Sequence, residues 1–299
     1  MGILDVIPRE EYILKGNSSC AGCGAALTLR YILKALGPKT VLVIPACCTS
    51  IIAGAYPKSS FKVPVYHIAF AASAATASGL AEGLEALGMD ANVVVWAGDG
   101  GTVDIGLQGL SGAAERNHNV LYVCYDNEAY MNTGIQRSGS TPYGAWTTTT
   151  PGGNKGRKKD MVFIMAAHGI PYVATASPAY PTDLISKVKK AVSIRGFKFI
   201  QVLTPCPPGW RFDPSKTVKL ARLAVLTGVW PLLEIERGKL RLTGPSAKLL
   251  KPENRRPLRE YLELQGRYAH LTPEDYEILR RLVDERWRRI ENWIKAQES

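Results

Sequence analysis

Short apolar runs alternate with helical segments through most of this chain, and that alternation limits the folds open to it. A nearly continuous apolar run, such as TVLVIPA at 40–46 or NVVVWA at 92–97, is typical of a strand buried on both faces. Strands that alternate with helices form a parallel sheet with helices on both faces, so we predict an α/β fold. The predicted strands are 40–46, 92–97, 119–125, 172–175 and 197–203, and the predicted helices are 24–36, 71–87, 105–115, 160–168 and 181–194.

The composition changes after Pro207-Pro208-Gly209, where the alternation ends. Residues 210–272 hold few strong element signals, but 272–275 (TPED) combines an N-cap, a proline and acidic residues as a helix start does. Apolar residues at helical spacing follow at Leu279, Leu282, Val283, Trp287, Ile290 and Trp293. They can pack on the chain's own core or dock on a partner subunit, and the sequence favours neither. We predict a main domain at 1–209, which begins with an arm at 1–19, and a C-terminal helical extension at 210–299 that makes subunit contacts.

The chain is basic, with a net charge of +11 over 299 residues. The excess is spread out, and its densest clusters lie at 155–159, 255–256 and 280–289. No aromatic–basic interleaving accompanies these clusters, so we expect no nucleic-acid partner. A solvated basic surface is the favoured interpretation, and an acidic protein partner is the second.

No targeting or membrane-spanning segment is visible. The first sixteen residues contain acidic and basic side chains and lack the apolar core of a signal peptide. The apolar stretch 41–56 is interrupted by Pro45 and is shorter than a membrane span. We therefore expect a cytoplasmic protein with no membrane partner. Thiols stay reduced in that compartment, so the six cysteines indicate metal binding or catalysis rather than disulfides.

A glycine-rich turn, Gly98-Asp99-Gly100-Gly101, comes directly after the second predicted strand. Glycines between a strand and a helix let backbone N–H groups approach a phosphate. Asn127 follows at the end of the next strand, and ligands of parallel sheets bind at such carboxyl ends. Asp99, Asn127 and the Ala129 carbonyl would offer three oxygens to Mg²⁺, and a diphosphate would complete the shell. The alternative is a structural turn that binds nothing.

Soft sulfur ligands occur in the same chain as this hard-oxygen site. Cys20 and Cys23 form a C-x₂-C hook before the first predicted helix, Cys48 follows a strand, and Cys206 lies between prolines. Thiolates select iron–sulfur clusters or zinc. Zinc Cys₄ sites usually have two such hooks and this chain has one, so we favour a [4Fe–4S] cluster over zinc.

These motifs together resemble a known family. The spacing from GDG to Asn127 resembles the thiamine diphosphate signature, and four stretches look like the β subunit of pyruvate:ferredoxin oxidoreductase. They are CAGCG at 20–24, YDNEAYMNTG at 125–134, YVATAS at 172–177 and PCPPGWR at 205–211. The similarity runs from about residue 16 to about 240. It implies a thiamine-diphosphate-binding fold in a subunit of the 2-oxoacid:ferredoxin oxidoreductases.

The resemblance also implies site residues. Mg²⁺ would be held by Asp99, Asn127 and the Ala129 carbonyl, and the [4Fe–4S] cluster by Cys20, Cys23, Cys48 and Cys206. Cys48 is preferred to Cys47 on its distance from Cys23 in the family, and Cys47 and Cys124 are expected to be buried thiols. Asn132 would face the substrate and the reactive thiazolium carbon. The other expected cofactor-binding residues are Ala46, Cys47, Thr49, His67, Gly98, Gly100, Gly101, Thr102, Met131 and Thr133. Without the family, His67 would be taken for a core histidine.

The implied activity is oxidative decarboxylation of pyruvate with coenzyme A, which yields acetyl-CoA, CO₂ and reduced ferredoxin. In this family the glutamate that activates the aminopyrimidine belongs to the α subunit. The ferredoxin run C-x₂-C-x₂-C-x₃-C-P is also absent from the sequence. We therefore expect α, γ and δ subunits as partners, and no activity from this chain alone.

Three alternatives remain open from the sequence. The substrate can be a branched-chain 2-oxoacid or 2-oxoglutarate instead of pyruvate. A redox-independent thiamine enzyme would explain the GDG motif and leave the cysteines without a role. A non-enzymatic zinc or iron–sulfur protein would explain the cysteines and leave Asp99 and Asn127 without one.

Overall fold

A single eight-stranded sheet organises the chain. The computed structural model of the protein describes residues 7–55 and 57–298, the side chain of residue 298 excepted, so residues 1–6 of the predicted arm lie outside it. The strand order is β2-β1-β3-β4-β6-β5-β7-β8. The strands are β1 Thr40–Pro45, β2 Val65–Ile68, β3 Asn92–Gly98, β4 Leu121–Asp126, β5 Tyr172–Ala176, β6 Lys198–Leu203, β7 Leu233–Glu236 and β8 Lys239–Leu242. Strands β1 to β6 are parallel, which confirms the predicted α/β class.

Helices cover both faces of the sheet. They are α1 Gly24–Leu36, α2 Cys48–Ala53, α3 Ser73–Ala86, α4 Leu107–Glu115, α5 Met161–Ala167, α6 Pro181–Ser193, α7 Pro207–Trp210, α8 Thr217–Leu226, α9 Arg259–Leu262 and α10 Pro273–Glu298. The sheet has a hydrophobic core on each face, and the side chains of β3 point alternately into one core and the other. Val93 and Val95 pack with α3, α4 and α5, whereas Val94 and Trp96 pack with α1 and α6. Because both faces are covered, a central strand is apolar throughout, and this explains the runs seen in the sequence.

The chain changes winding direction between β1 and β3. β1 pairs with β2 on one side and with β3 on the other. The connection that leaves β1 therefore runs toward β2, whereas the connection that leaves β3 runs the opposite way, toward β4. A crevice opens at the carboxyl end of a parallel sheet at such a switch point. The segment after β1 begins α2, and the segment after β3 is the glycine-rich turn. The topology therefore brings the Cys47-Cys48 and Gly98–Gly101 segments together.

The glycine-rich turn differs from its prediction. A regular helix is predicted over 105–115, but the chain first makes a π-helical turn over Gly100–Asp104 and continues as α4. π-Helical turns within helices are frequent at functional sites, since they widen the backbone locally. Strand β2 is a second difference. It is a short, half-exposed edge strand without an apolar run, and the sequence does not predict it.

The region after residue 209 is more structured than expected. β7 pairs antiparallel with β5, and β8 pairs with β7, so the sheet continues past the predicted boundary. The helix that starts at Pro273 is confirmed, with the Asp275 N–H donating to Thr272 Oγ1 at 3.1 Å as in an N-cap. Trp287 and Ile290 are buried in the chain's own core, and Trp287 Nε1 donates to the Gly228 carbonyl at 2.8 Å. Packing on the chain's own core therefore accounts for this part of the helix.

No helix within 7–55 and 57–298 is long and apolar enough to cross a membrane.

Candidate functional site

A cavity of about 360 Å³ opens at the carboxyl ends of β1, β3 and β4. It contains most of the predicted cofactor-binding positions. Its lining residues that were predicted are Ala46, Cys47, Cys48, Gly98, Asp99, Gly100, Gly101, Asn127, Ala129, Met131, Asn132 and Thr133. Phe70, Tyr125 and Tyr130 also line it and were not predicted as site residues. We call this space the oxygen cavity, because its most buried polar atoms are oxygens.

The glycine-rich turn forms one wall of the oxygen cavity, and aromatic rings pack against it closely. A Cβ atom at Gly100 would lie 2.3 Å from the Tyr130 ring, and one at Gly101 would lie 3.0 Å from Phe70. Tyr130 is fixed by its hydroxyl, which donates to Asp104 Oδ2 at 2.8 Å. Glycine is therefore required at position 100. The first turn of a helix leaves N–H groups without intrahelical partners, and such groups bind a phosphate well.

Three oxygens converge at the base of the oxygen cavity. The Asn127 side-chain oxygen lies 2.9 Å from Asp99 Oδ1 and 2.9 Å from the Ala129 carbonyl oxygen. Oxygens this close repel one another unless a cation lies between them or the amide turns its nitrogen toward them. Two oxygens at neighbouring corners of an octahedron with Mg–O bonds of about 2.1 Å are about 3 Å apart. The donor set and its spacing thus fit Mg²⁺.

Asp99 is fully buried and, among residues 7–55 and 57–298, no cationic side chain forms an ion pair with it. Ser138 Oγ donates to Asp99 Oδ2 at 2.5 Å, and the Asn127 N–H lies 3.3 Å from Oδ1. Burial and the nearby Asp126 carboxylate raise the pKa of Asp99 well above its ordinary value. A carboxyl group in this position is ionised when a cation binds beside it. Ser138 has no sequence signal of its own, and only the fold brings it to Asp99.

A buried ion network lies behind the turn that contains Asn127 and Ala129. Glu128, between Asn127 and Ala129, has a φ of 68°, and its carboxylate points away from the oxygen cavity into this network. Lys158 Nζ lies 2.8 Å from Glu128 Oε1 and 2.7 Å from Asp126 Oδ2, and Arg267 Nη2 lies 2.6 Å from Glu128 Oε2. Burial alone would raise the pKa of Glu128, but Lys158 and Arg267 together lower it. The network fixes a left-handed backbone conformation that is uncommon for a non-glycine residue.

The basic cluster 155–159 is the solvated surface that the sequence suggests except at Lys158. The Lys158 side chain is only 20% exposed and belongs to the buried network. Lys159 pairs with Asp104 at 2.8 Å, next to the glycine-rich turn. Lys155 and Arg157 do lie at the surface, at 63% and 70% exposure of their side chains. Sequence reasoning missed Lys158 because its carboxylate partners are thirty residues away in the chain.

The four predicted cluster ligands line a second pocket of about 120 Å³. Cys23 is the N-cap residue of α1, Cys48 is the first residue of α2 and Cys206 is the N-cap residue of α7, so short elements fix three of the thiols. Cys20 lies at the exposed rim. We call this space the cysteine pocket. Cys47 is partly exposed and lines the oxygen cavity, so its predicted burial is wrong, whereas Cys124 is buried in the core as predicted.

The Cys48 and Cys206 thiols that line the cysteine pocket have raised pKa values. Burial raises the pKa of Cys48 to about 12, and the neighbouring Cys206 adds to the effect. Burial likewise raises the pKa of Cys206 to about 12. Iron or zinc would displace these protons, since the thiolate is the ligand. Within 7–55 and 57–298, no three His, Cys, Asp or Glu side chains converge tightly enough to hold one metal ion.

Three predicted cofactor-binding residues lie away from the cavity surface. Thr49 is buried and accepts a hydrogen bond from Trp96 Nε1 at 3.0 Å. Thr102 donates its hydroxyl to the Gly98 carbonyl at 2.7 Å. His67 lies on edge strand β2 with an exposed side chain, so it is not a core histidine either. Their roles toward a cofactor remain predictions.

The two spaces share one wall. Cys48, Ile51, Asn127 and Asn132 line both the oxygen cavity and the cysteine pocket. The Asn127 carbonyl also accepts a hydrogen bond from Trp210 Nε1 at 2.7 Å, and Trp210 ends the helix that Cys206 begins. A group in one space would therefore lie next to a group in the other.

The chain is similar to several known proteins. Residues 46–202 match the family model described as "Thiamine pyrophosphate enzyme, C-terminal TPP binding domain". The chain is 53% identical over 295 residues to ketoisovalerate oxidoreductase subunit VorB of Pyrococcus horikoshii, which covers 95% of this chain and 94% of that protein. It is also 53% identical over 292 residues to pyruvate synthase subunit PorB of Methanocaldococcus jannaschii, with 93% and 96% covered.

A solved structure shares the fold. It is 2-oxoglutarate:ferredoxin oxidoreductase from Magnetococcus marinus, determined with 2-oxoglutarate, coenzyme A and succinyl-CoA bound. The TM-score is 0.60 at 22% identity, and the match covers 87% of this chain and 93% of that one. At this identity the likeness supports the architecture of the sheet and its helices.

Proposed function

The chain belongs to the β subunits of the 2-oxoacid:ferredoxin oxidoreductases, which contain a thiamine-diphosphate-binding domain, and from this premise we propose how it works. It binds thiamine diphosphate and Mg²⁺ in the oxygen cavity and a [4Fe–4S] cluster in the cysteine pocket. Together with its partner subunits it oxidises pyruvate, with coenzyme A as acyl acceptor and ferredoxin as electron acceptor.

The observation that carries this proposal is the shared wall between the two spaces. Hard oxygens converge on one side of Asn127, and the four sulfurs line the other side. A redox-independent thiamine enzyme has no use for the cysteine pocket. A zinc or electron-transfer module has no use for the three converging oxygens. A thiamine enzyme that passes electrons to a cluster uses both.

Each part of the chain then has a task. Asp99, Asn127 and the Ala129 carbonyl hold Mg²⁺ and, through it, the diphosphate, while the backbone at Gly100 and Gly101 binds phosphate oxygens. Bound thiamine diphosphate would supply the electron sink needed to release CO₂ from a 2-oxoacid. Asn132, which lines both spaces, orients the substrate over the cofactor.

The cysteine pocket provides the route for electrons. Cys20, Cys23, Cys48 and Cys206 would hold a [4Fe–4S] cluster, which would supply one-electron chemistry beside the oxygen cavity. Cys20 at the exposed rim marks the side from which electrons leave toward the clusters of another subunit and then ferredoxin. In this scheme the α, γ and δ subunits supply the aminopyrimidine-activating glutamate and the outlet clusters.

A branched-chain 2-oxoacid is the second candidate substrate. The relatives named for ketoisovalerate and for pyruvate are equally similar to this chain, at 53% identity each. The assembled enzyme should be assayed with pyruvate, ketoisovalerate and 2-oxoglutarate at matched concentrations. Pyruvate should give the highest kcat/KM, and a preference for ketoisovalerate would replace it in the proposal.

The test of the cofactors is the composition of the protein purified without oxygen. We expect about four irons and four acid-labile sulfides per chain. Bound thiamine diphosphate and an EPR signal after dithionite reduction should accompany them. Zinc without sulfide would favour the structural alternative. Thiamine diphosphate without iron would favour the redox-independent enzyme.

A further inference from the structure

Thr204 has a buried hydroxyl group that the proposed scheme does not yet use. It follows β6 directly, and its N–H donates to the Asp126 carbonyl at 2.9 Å. The residue is fully buried, and its Oγ1 has no hydrogen-bond partner among the described residues. Buried hydroxyls are nearly always paired, so an unpaired one needs an explanation.

The other buried threonines near the cysteine pocket and the sheet do have partners. Thr28 donates to the Gly24 carbonyl at 2.8 Å, Thr175 to the Pro231 carbonyl at 2.6 Å and Thr227 to the Leu223 carbonyl at 2.8 Å. Each satisfies its hydroxyl within the protein. Thr204 therefore differs from these buried threonines, because its hydroxyl has no partner in the part of the chain that the structure describes. Its position in the fold explains the difference.

Thr204 borders the cysteine pocket. It lines that space together with Cys23, Cys48 and Cys206, and it lies two residues before Cys206. Val202, two residues earlier on β6, packs into the core with α1, the helix that Cys23 caps. Since side chains alternate along a strand, Thr204 is directed to the same side.

We propose that the Thr204 hydroxyl donates a hydrogen bond to the cluster bound in the cysteine pocket, at a sulfide or a cysteine sulfur, and thereby raises its reduction potential. This inference rests on the proposed function. Reduction adds one electron to the cluster, and no bond forms or breaks. A hydrogen bond to sulfur stabilises the more negative reduced state, and such bonds are among the factors that set cluster potentials.

The potential matters because this cluster is the first acceptor of electrons from the oxygen cavity. A higher potential makes it a better acceptor from the reacting substrate. Thr204 is accordingly a tuning residue that acts on the cluster and not on the 2-oxoacid. Its loss should change electron uptake and leave the affinity for thiamine diphosphate as it was.

The test is a redox titration of the full chain, purified without oxygen and followed by EPR, for wild type and Thr204→Val. Valine keeps the shape of the side chain and removes the hydroxyl. We expect the ratio of reduced to oxidised cluster at a fixed ambient potential to fall about threefold to tenfold, roughly 30 to 60 mV for a one-electron couple. Thr204→Ser keeps a hydroxyl and should restore a potential close to that of the wild type.

Thr28→Val is the matched control, because it removes a buried threonine hydroxyl that already has a partner in α1. Its potential should equal that of the wild type. An unchanged potential in Thr204→Val, with four irons present, overturns the inference and leaves the proposed function intact. Wild-type protein without iron and sulfide would instead overturn the proposed cluster.

If Thr204→Val retains no cluster, Thr204→Ala takes its place in the titration. Loss of iron in both variants with retention in Thr204→Ser would support a role that depends on the hydroxyl. Loss in the serine variant as well would refute the inference, since the hydroxyl would then be insufficient.

Discussion

Cys47 and Cys48 are adjacent in the chain and face different spaces. Cys48 lines the cysteine pocket, whereas Cys47 lines only the oxygen cavity. We predict that Cys48→Ser lowers the iron content sharply because a serine hydroxyl is a poor substitute for a thiolate ligand. Cys47→Ser, the matched control, should retain about four irons per chain. Iron loss in Cys47→Ser with retention in Cys48→Ser would reverse the assignment.

Lys198 gives the stability of the chain a pH dependence. It is buried at the start of β6, where its Nζ donates to Asn119 Oδ1 at 2.7 Å. Burial, and then the positive charge of Arg195, lower the pKa of Lys198 to about 8 from 10.5. A lysine whose pKa is lowered on folding destabilises the folded state below that pKa. The penalty is relieved as pH rises from about 8 to 10.5, because the unfolded chain then holds more protons.

We therefore predict that Lys198→Met raises the free energy of unfolding relative to wild type at pH 7, and that this advantage shrinks by about 2 kcal/mol at pH 10. Guanidinium denaturation at the two pH values measures both quantities. Lys39→Met, at an exposed lysine, is the control and should show no such change. An advantage of Lys198→Met that stayed constant between the two pH values would contradict the lowered pKa.

At this scale the sequence predicts residues that belong to compact motifs. Asp99, Asn127 and the cysteines lie in short, specific patterns, and their residue types indicate the ligand. Ser138, Lys158, Arg267 and Thr204 have no such pattern. They are common residue types whose partners are distant in sequence, so only the folded chain identifies them.

Among the elements, the loop between β4 and α5 is tied down by the buried network around Glu128. We predict that Lys158→Met lowers the free energy of unfolding by about 3 kcal/mol, because Asp126 and Glu128 lose a buried cation. It should also weaken Mg²⁺-dependent binding of thiamine diphosphate, since Glu128 lies between the two cation-binding residues of this loop. Denaturation and calorimetric titration measure these effects.

Lys155→Met is the matched control in the same loop. Lys155 pairs with Asp275 at 2.9 Å, but its side chain is 63% exposed. An exposed ion pair is screened by solvent and contributes little, so this variant should resemble the wild type in stability and affinity. Equal losses in the two variants would mean that the loop tolerates no change at all, and that the buried network has no special role.

The sequence predicts the strands that are covered by helices on both faces of the sheet. The central strands appear as apolar runs because both of their faces are covered. β2, β7 and β8 are short and lie toward the sheet edges, where one face or one side is exposed and the apolar pattern weakens. The π-helical turn at Gly100–Asp104 depends on Tyr130 and Phe70 packing against it, which no local pattern encodes.

At the scale of the whole molecule, the proposed function makes the chain dependent on partner subunits. We predict that the purified β subunit does not reduce ferredoxin with pyruvate, even when it contains both cofactors. Addition of the α, γ and δ subunits should produce the activity, because in the proposed scheme they supply the activating glutamate and the outlet clusters. A spectroscopic assay of ferredoxin reduction measures this. Full turnover by the isolated chain would refute the prediction.

The hydrogen bond from Trp210 to the Asn127 carbonyl links the turn that contains Asn127 and Ala129 to the helix that Cys206 caps. If the two spaces hold the proposed groups, their occupancies are thermodynamically linked. By reciprocity, the factor by which a bound cluster changes the affinity for thiamine diphosphate equals the factor by which thiamine diphosphate changes the affinity for the cluster. Where that factor exceeds one, a chain that lacks one group binds the other group less well.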